Sequence, residues 1–278
     1  MPSDLDGSFY KQYDENSLEI SIAEELQKKA YDYIHEQSNS ESIFNFSDSS
    51  IVNIVCPEIP EKYRNKYSKK FSKDYLRRAK FADPDTLDLV TTHLARKFPH
   101  LSINDFTCSA PPKNLYSYDL ICIGGPGWNT LTRDLIDIYN IPLQYGDYSE
   151  GKEDFYIKNT LTNKEYRTQY SSSGRIIKDI GIFAKLPQFG NESKSVYLIN
   201  GIQTFGVLGT AHSFIDTNFR EKNISIIERN VNETSDFYLL IFELSILESD
   251  VIPSIINEKL IFNYSIDKNE FYKKTSSN

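Results

Sequence analysis

The sequence has no long apolar run and little cysteine. No stretch of its 278 residues contains the roughly 18 consecutive apolar residues that a membrane-spanning helix needs. The first residues, 1–7, are acidic and lack the basic and apolar regions of a secretory signal peptide. The three cysteines, Cys56, Cys108 and Cys122, are widely spaced, which fits neither a disulfide framework nor a zinc site. We therefore expect a cytoplasmic protein without a membrane span.

Several catalytic signatures are also missing. The sequence has no serine nucleophile elbow, no metal-binding histidine pair and no cluster of cysteine and histidine. It therefore gives no support for a metal cofactor or for acyl transfer.

Net positive charge is absent too. The formal charge is −8 and the pI is about 5.2, which argues against binding nucleic acid through the overall field of the protein. One segment, residues 61–80, nevertheless contains nine lysines and arginines. This basic segment is either a solvated face or a surface for phosphate or an acidic partner.

Large aromatic residues are abundant, with 17 Phe and 19 Tyr, and they indicate a folded core. Apolar residues at four-residue spacing predict an amphipathic helix over 18–37, and the polar stretch 37–49 is typical of a linker. We expect an N-terminal tail and helix in residues 1–40 and a single α/β ligand-binding domain in residues 50–278. The helix over 18–37 either packs on that domain or forms a homo-oligomer.

Alternating apolar runs and helical patterns predict the architecture of the main domain. Strands are expected at 51–56, 102–108, 118–123, 180–184, 195–199, 237–247 and 259–264, with helices over 84–97, 130–139 and from the second glycine turn to about Phe219. Asp83 is expected to cap the helix that begins at Pro84. Residues 154–170 have a hairpin pattern. The order favours a Rossmann-like mixed sheet flanked by helices, with an inserted antiparallel hairpin.

Two glycine-rich turns are the strongest functional signal. Each follows an apolar strand and opens into a helix, a junction where backbone N–H groups and a helix N-terminus can face an anion. The first spans Gly124–Thr130 and the second spans Gly201–Thr210. Such turns at the carboxyl ends of parallel strands predict a shared site for a nucleotide or another phosphorylated small molecule. The predicted ligand-binding residues are Gly124, Gly125, Gly127, Asn129, Thr130, Gly201, Thr204, Gly206, Gly209 and Thr210.

Neither turn matches a complete nucleotide-binding fingerprint. In the first, Thr130 stands where a dinucleotide site has its third glycine, but Asp147 lies where a ribose-binding carboxylate belongs. The second has no lysine after its last glycine, which disfavours phosphate transfer by a P-loop. The two turns therefore identify no particular nucleotide or other cofactor.

Three ionisable residues are candidates for acid–base catalysis. His212 lies near the second turn, Asp179 precedes a strand, and Glu58 lies in the loop after the first strand. Each also has an ordinary structural role open to it: a packed histidine, a turn cap and a solvated carboxylate.

The segment 118–217 resembles the Rossmann-like nucleotide-binding modules of bacterial signalling and defence proteins. The resemblance rests on Gly-Gly-Pro-x-x-Asn from Gly124, on Asp179 with Gly181, and on the glycines from Gly201 to Gly209. It implies a protein that senses a nucleotide or cleaves a nicotinamide dinucleotide. Three hypotheses follow: a ligand-binding protein, an enzyme that cleaves a glycosidic or phosphate bond, and an interaction module whose glycine turns are structural.

Overall fold

A computed structural model describes residues 27–29, 42–47, 50–146, 155–189, 191–230, 237–247, 250–252 and 260–266. The chain separates into two compact units, residues 1–40 and 41–278. In the first unit only residues 27–29 are described, and they are helical. The rest of the helix expected over 18–37, and any oligomer contact through it, lie outside the described residues.

The second unit is built on one large sheet. Its strands are β1 (Ile51–Cys56), β2 (Ser102–Thr107), β3 (Asp119–Ile123), β7 (Gln169–Tyr170), β8 (Ile176–Gln188), β9 (Asn191–Gly201), β10 (Phe237–Leu247), β11 (Asp250–Ile252) and β12 (Leu260–Ile266). The main order is β11-β10-β8-β9-β3-β1-β2, with β12 on β10 and β7 on β8. β2, β1, β3 and β9 run parallel, whereas β8 and β10 pair antiparallel with their neighbours.

A second, antiparallel sheet contains β4 (Leu143–Tyr145), β5 (Tyr156–Asn159) and β6 (Glu165–Arg167). It includes the inserted hairpin expected from residues 154–170. Together the two sheets and the helices confirm the α/β class and the mixed sheet.

Helices cover both faces of the large sheet. They are α1 (Pro84–Lys97), α2 (Thr130–Ile138), α3 (Thr204–Ile215) and α4 (Thr217–Asn230). α1, α3 and α4 share one apolar core with alternate residues of β1, such as Ile54. α2 and the small sheet share the other core with the intervening residues, such as Val55. Because successive strand residues point to opposite faces, and both faces are covered, β1 and β3 are buried along almost their whole length. None of the described helices is long and apolar enough to cross a membrane.

Two expectations about connections are wrong. The stretch 37–49 is not a linker throughout, because Ile43, Phe44 and Phe46 belong to the core and Phe44 packs edge-on against Tyr197 at 5.1 Å. The sequence prediction missed these three apolar residues because the serines and asparagines around them are typical of a linker. The single helix expected up to about Phe219 is instead α3 and α4, separated by a residue in extended conformation at position 216.

Candidate functional site

The two glycine turns lie side by side. β3 and β9 are adjacent parallel strands, with Ile123 opposite Ile199, so the turns that follow them meet at one edge of the sheet. The first turn is also hydrogen-bonded to β9, because the Gly124 N–H donates to the Ile199 carbonyl at 2.9 Å. The chain leaves β1 for α1 on one face and leaves β3 for α2 on the other. The turns therefore border the point where the strand order reverses, the usual ligand crevice of such sheets.

A cavity of about 140 Å³ lies at this point. It is bounded by the loop after β1, the start of α1, both glycine turns and the start of α3. Its lining residues are Pro57, Ala82, Asp83, Gly125, Gly127, Trp128, Phe155, Gly201, Ile202, Gln203, Thr204 and Val207. The structure thus brings together four of the predicted ligand residues: Gly125, Gly127, Gly201 and Thr204.

Three residues of the cavity wall have backbone N–H groups without an acceptor among the described residues. Within the described part of the chain, no hydrogen bond engages the N–H of Gly125, Gly127 or Thr204. All three residues belong to the cavity wall. Donors left free at the ends of strands and the start of a helix are suited to anionic oxygens.

The other residues of the first turn have structural roles. Gly124 has φ of +85°, and a Cβ there would lie 2.7 Å from Asp83 Oδ2, so only glycine fits. Asn129 is fully buried: its Oδ1 accepts the N–H groups of Leu131 and Thr132, and its Nδ2 donates to the Ile123 carbonyl at 2.7 Å. Asn129 therefore caps α2 rather than facing the cavity.

Thr130 does not line the cavity either. It is the exposed first residue of α2. Its side chain thus lies at the helix surface, and the structure provides no contact that would make it a ligand residue.

The second turn contributes mainly close packing. A Cβ on Gly201 would lie 2.4 Å from the Gly206 carbonyl carbon, and one on Gly206 would lie 2.4 Å from the Ile180 carbonyl oxygen. These two glycines let α3 approach β9 and β8. Gly209 and Thr210 are buried further along α3, where the Thr210 hydroxyl hydrogen-bonds within the fold. Neither of them lines the cavity.

Asp179 caps α3 from the neighbouring strand. Its Oδ2 accepts the N–H groups of Gln203 at 3.1 Å and Gly206 at 2.7 Å. Its Oδ1 accepts the Thr168 hydroxyl and the Ile180 N–H, each at 2.9 Å. Burial raises the pKa of Asp179 to about 6, although these four hydrogen bonds lower it. The side chain is fully buried, and its four hydrogen bonds give it the role of a helix cap. Asp179 is not among the residues that line the cavity.

Glu58 and His212 also lie away from the cavity wall. Glu58 pairs with Arg64 and lies 3.6 Å from Lys80, and Ser109 donates to it. Burial raises the pKa of Glu58, but the hydrogen bonds and cations outweigh burial and lower it, so the group stays an ion. His212 lies eight residues after the start of α3, about 12 Å along its axis. Desolvation lowers the His212 pKa, and Asp216 opposes that shift.

The sequence pattern missed Asp83, the acidic side chain of the cavity. It stands at the N-terminal boundary of α1, as expected, but makes no capping hydrogen bond. Instead its carboxyl group lies over the first glycine turn and only 6% of the residue is exposed. Burial raises the pKa of Asp83 to about 7, Asp85 adds to the shift, and a hydrogen bond with Thr204 opposes it. The Asp83-Pro84 pair predicted the start of α1. That local pattern gave no indication that the Asp83 side chain lies in the cavity wall.

Trp128 provides an aromatic edge to the cavity. It is 45% exposed, and its indole stacks on Tyr63 with ring centroids 5.9 Å apart and an interplanar angle of 27°. Tyr63 comes from the basic segment 61–80. The sequence could have predicted Trp128 as a site residue, because it lies inside the first glycine turn.

The basic segment is partly tied into the fold. Arg77 binds Asp105 at 2.5 Å and Arg78 binds Asp88 at 2.9 Å, while Arg64 and Lys80 interact with the loop after β1. These ion pairs account for about half of its charges and favour a mainly structural role for them.

The remaining predicted residue, Asp147, lies outside the described residues. A second cavity, of about 300 Å³, has Gly146 among its lining residues, and Gly127 lines both cavities. Among the described residues, no group of acidic, histidine or cysteine side chains could hold a metal ion.

Comparison with known proteins adds no family to this description. No protein-family model matches the chain, and no curated protein is significantly similar to it.

Proposed function

We propose that the cavity between the two glycine turns binds a phosphorylated small molecule, and that a nucleotide is the class that fits it best. The observation that carries this proposal is the convergence of the turns: Gly125, Gly127 and Thr204 line one cavity, and in the described part of the chain their N–H groups have no backbone acceptor. Phosphate oxygens accept hydrogen bonds from such groups.

Trp128 favours a nucleotide over a simple phosphate ester. Its exposed side chain belongs to the wall of the same cavity and stacks on Tyr63. A base stacked on an aromatic side chain contributes about 1–3 kcal/mol. The resemblance to nucleotide-binding modules of signalling and defence proteins agrees with this assignment.

Trp128→Ala tests the nucleotide class. We expect it to weaken binding of adenine nucleotides about 5- to 150-fold, the equivalent of that stacking energy, and to leave the affinity for inorganic phosphate unchanged. Thermal-shift and calorimetric titrations with both ligands measure this. Tyr116→Ala is the control, since Tyr116 is also exposed but precedes β3 at the opposite end of the strand. Failure of every nucleotide and phosphate to bind the wild-type protein would contradict the proposal.

Catalytic cleavage of the ligand is the second candidate function, and the presence of Asp83 in the cavity wall favours it. Among the described residues Asp83 is the ionisable side chain in the cavity wall, with a pKa near neutrality, as general acids and bases require. Product analysis after incubation with NAD and nucleoside phosphates tests it. If the substrates are unchanged after incubation, the turnover hypothesis is contradicted and only ligand binding is left.

A further inference from the structure

We propose that Asp83 recognises the anion itself: its protonated carboxyl group donates a hydrogen bond to an anionic oxygen of the ligand, and the cavity takes up a proton when the ligand binds. This inference rests on the proposed function, because it concerns the same cavity. It adds a side chain, Asp83, to the backbone groups of the glycine turns, and it makes ligand binding depend on the protonation of that side chain.

Asp83 lies at the first glycine turn and in the wall of the cavity. The carboxyl group lies against Gly124 of the first turn, where a Cβ would approach its Oδ2 to 2.7 Å. Asp83 also forms the cavity wall together with Gly125, Gly127 and Thr204. An anion bound to the N–H groups of those residues therefore lies beside this carboxyl group.

The groups around Asp83 do not favour its ionised form by charge. Asp85 faces it from α1, Thr204 offers a hydroxyl group from α3, and Gly124 presents only backbone. From β1, Cys56 offers a thiol whose pKa is raised by burial and by Asp83, so the thiol stays neutral. In the described part of the chain, no lysine, arginine or histidine acts on Asp83 to hold it ionised.

These surroundings decide the protonation state in the complex. A carboxylate beside a bound phosphate would be a like-charge pair in a desolvated site, which is strongly unfavourable. A protonated carboxyl group removes that repulsion and supplies one more donor to the anion. Because burial has already brought the Asp83 pKa to about 7, the proton is readily available near neutral pH. Asp179 meets the same end of α3 but keeps its four internal hydrogen bonds, so it does not replace Asp83.

The test measures affinity against pH with probes of constant charge, inorganic sulfate and 3′,5′-cyclic AMP. For the full-length wild-type protein we expect affinity to fall up to tenfold per pH unit above about pH 7, and binding to take up as much as one proton per anion in calorimetric titrations in two buffers. Asp83→Asn should bind with an affinity independent of pH, several-fold tighter than wild type at about pH 8.5. Asp85→Asn should move the fall in affinity to lower pH without abolishing it.

The outcomes separate the two proposals. If wild type binds the probes with no pH dependence, or if affinity rises with pH and Asp83→Asn weakens binding, Asp83 is not a proton donor to the ligand and only this inference is overturned. If neither probe nor any other nucleotide binds the wild-type protein at any pH, the proposed function is overturned as well. Circular dichroism of both variants verifies that they are folded.

Discussion

Replacing Asp83 by asparagine should stabilise the protein at neutral and alkaline pH. The pKa of this carboxyl group rises from about 3.8 to about 7 on folding, chiefly because it is buried. A carboxyl group with a raised pKa binds more protons in the folded chain than in the unfolded chain, so the free energy of unfolding decreases as pH rises between those two values. Its burial in the ionised form is therefore a destabilising feature above about pH 7.

The expected magnitude follows from the shift. A difference of about three pKa units corresponds to roughly 4 kcal/mol, since each unit is about 1.4 kcal/mol. Asparagine is nearly isosteric and carries no charge, so it avoids this penalty while keeping a polar group near Thr204. The stabilisation of Asp83→Asn over wild type should be small near pH 4 and should approach roughly 4 kcal/mol above about pH 8.

Urea unfolding of wild type and Asp83→Asn across this pH range measures the effect. Other groups titrate in both proteins, so their contributions cancel in the difference. Asp85→Asn is the matched control: it removes an acidic residue of the same helix, but an exposed one, and should change stability far less. A difference between Asp83→Asn and wild type that does not vary with pH, or a variant less stable than wild type above pH 7, would refute the reasoning. Such a gain would also mark Asp83 as a residue kept at the expense of stability, as functional residues often are.

Two further changes test the structural side of the site. Gly124→Ala should destabilise the protein by several kcal/mol, because the added Cβ meets Asp83 and Pro57 at 2.7 Å in a left-handed conformation; Gly174→Ala, with φ of +79° but nothing within 4 Å, should cost only about 1 kcal/mol. Equal losses in the two variants, measured by urea unfolding, would show that strain alone matters at Gly124. Asp179→Ala should lower the free energy of unfolding by roughly 2–4 kcal/mol by leaving buried N–H and hydroxyl groups unpaired, and a loss under about 0.5 kcal/mol would contradict its capping role.

Much of the architecture could be predicted from local sequence. The apolar runs at Ile51–Cys56 and Asp119–Ile123 are strands, and the Asp-Pro pair at position 83 marks the start of α1. The glycine turns were recognisable because each separates an apolar run from a helical pattern. Local signals of this kind depend on backbone preference and on side-chain periodicity, both of which the sequence carries directly.

The candidate site could be predicted only in part. Gly125, Gly127 and Thr204 line the cavity, whereas Asn129 and Asp179 cap helices, and His212 lies two turns along α3. A polar residue near a glycine turn can serve the ligand or the fold. Which of these it does depends on the groups that face it from other elements.

The α/β class, the positions of the main strands and helices, and the two glycine turns as the candidate site all follow from local sequence patterns. Three features required the folded chain: β3 and β9 are neighbours, Asp179 reaches α3 from β8, and Asp83 lies buried beside the first turn. Strand order and burial arise from contacts between residues far apart in the chain. Such contacts are selected by the packing of whole elements, and no local pattern specifies them.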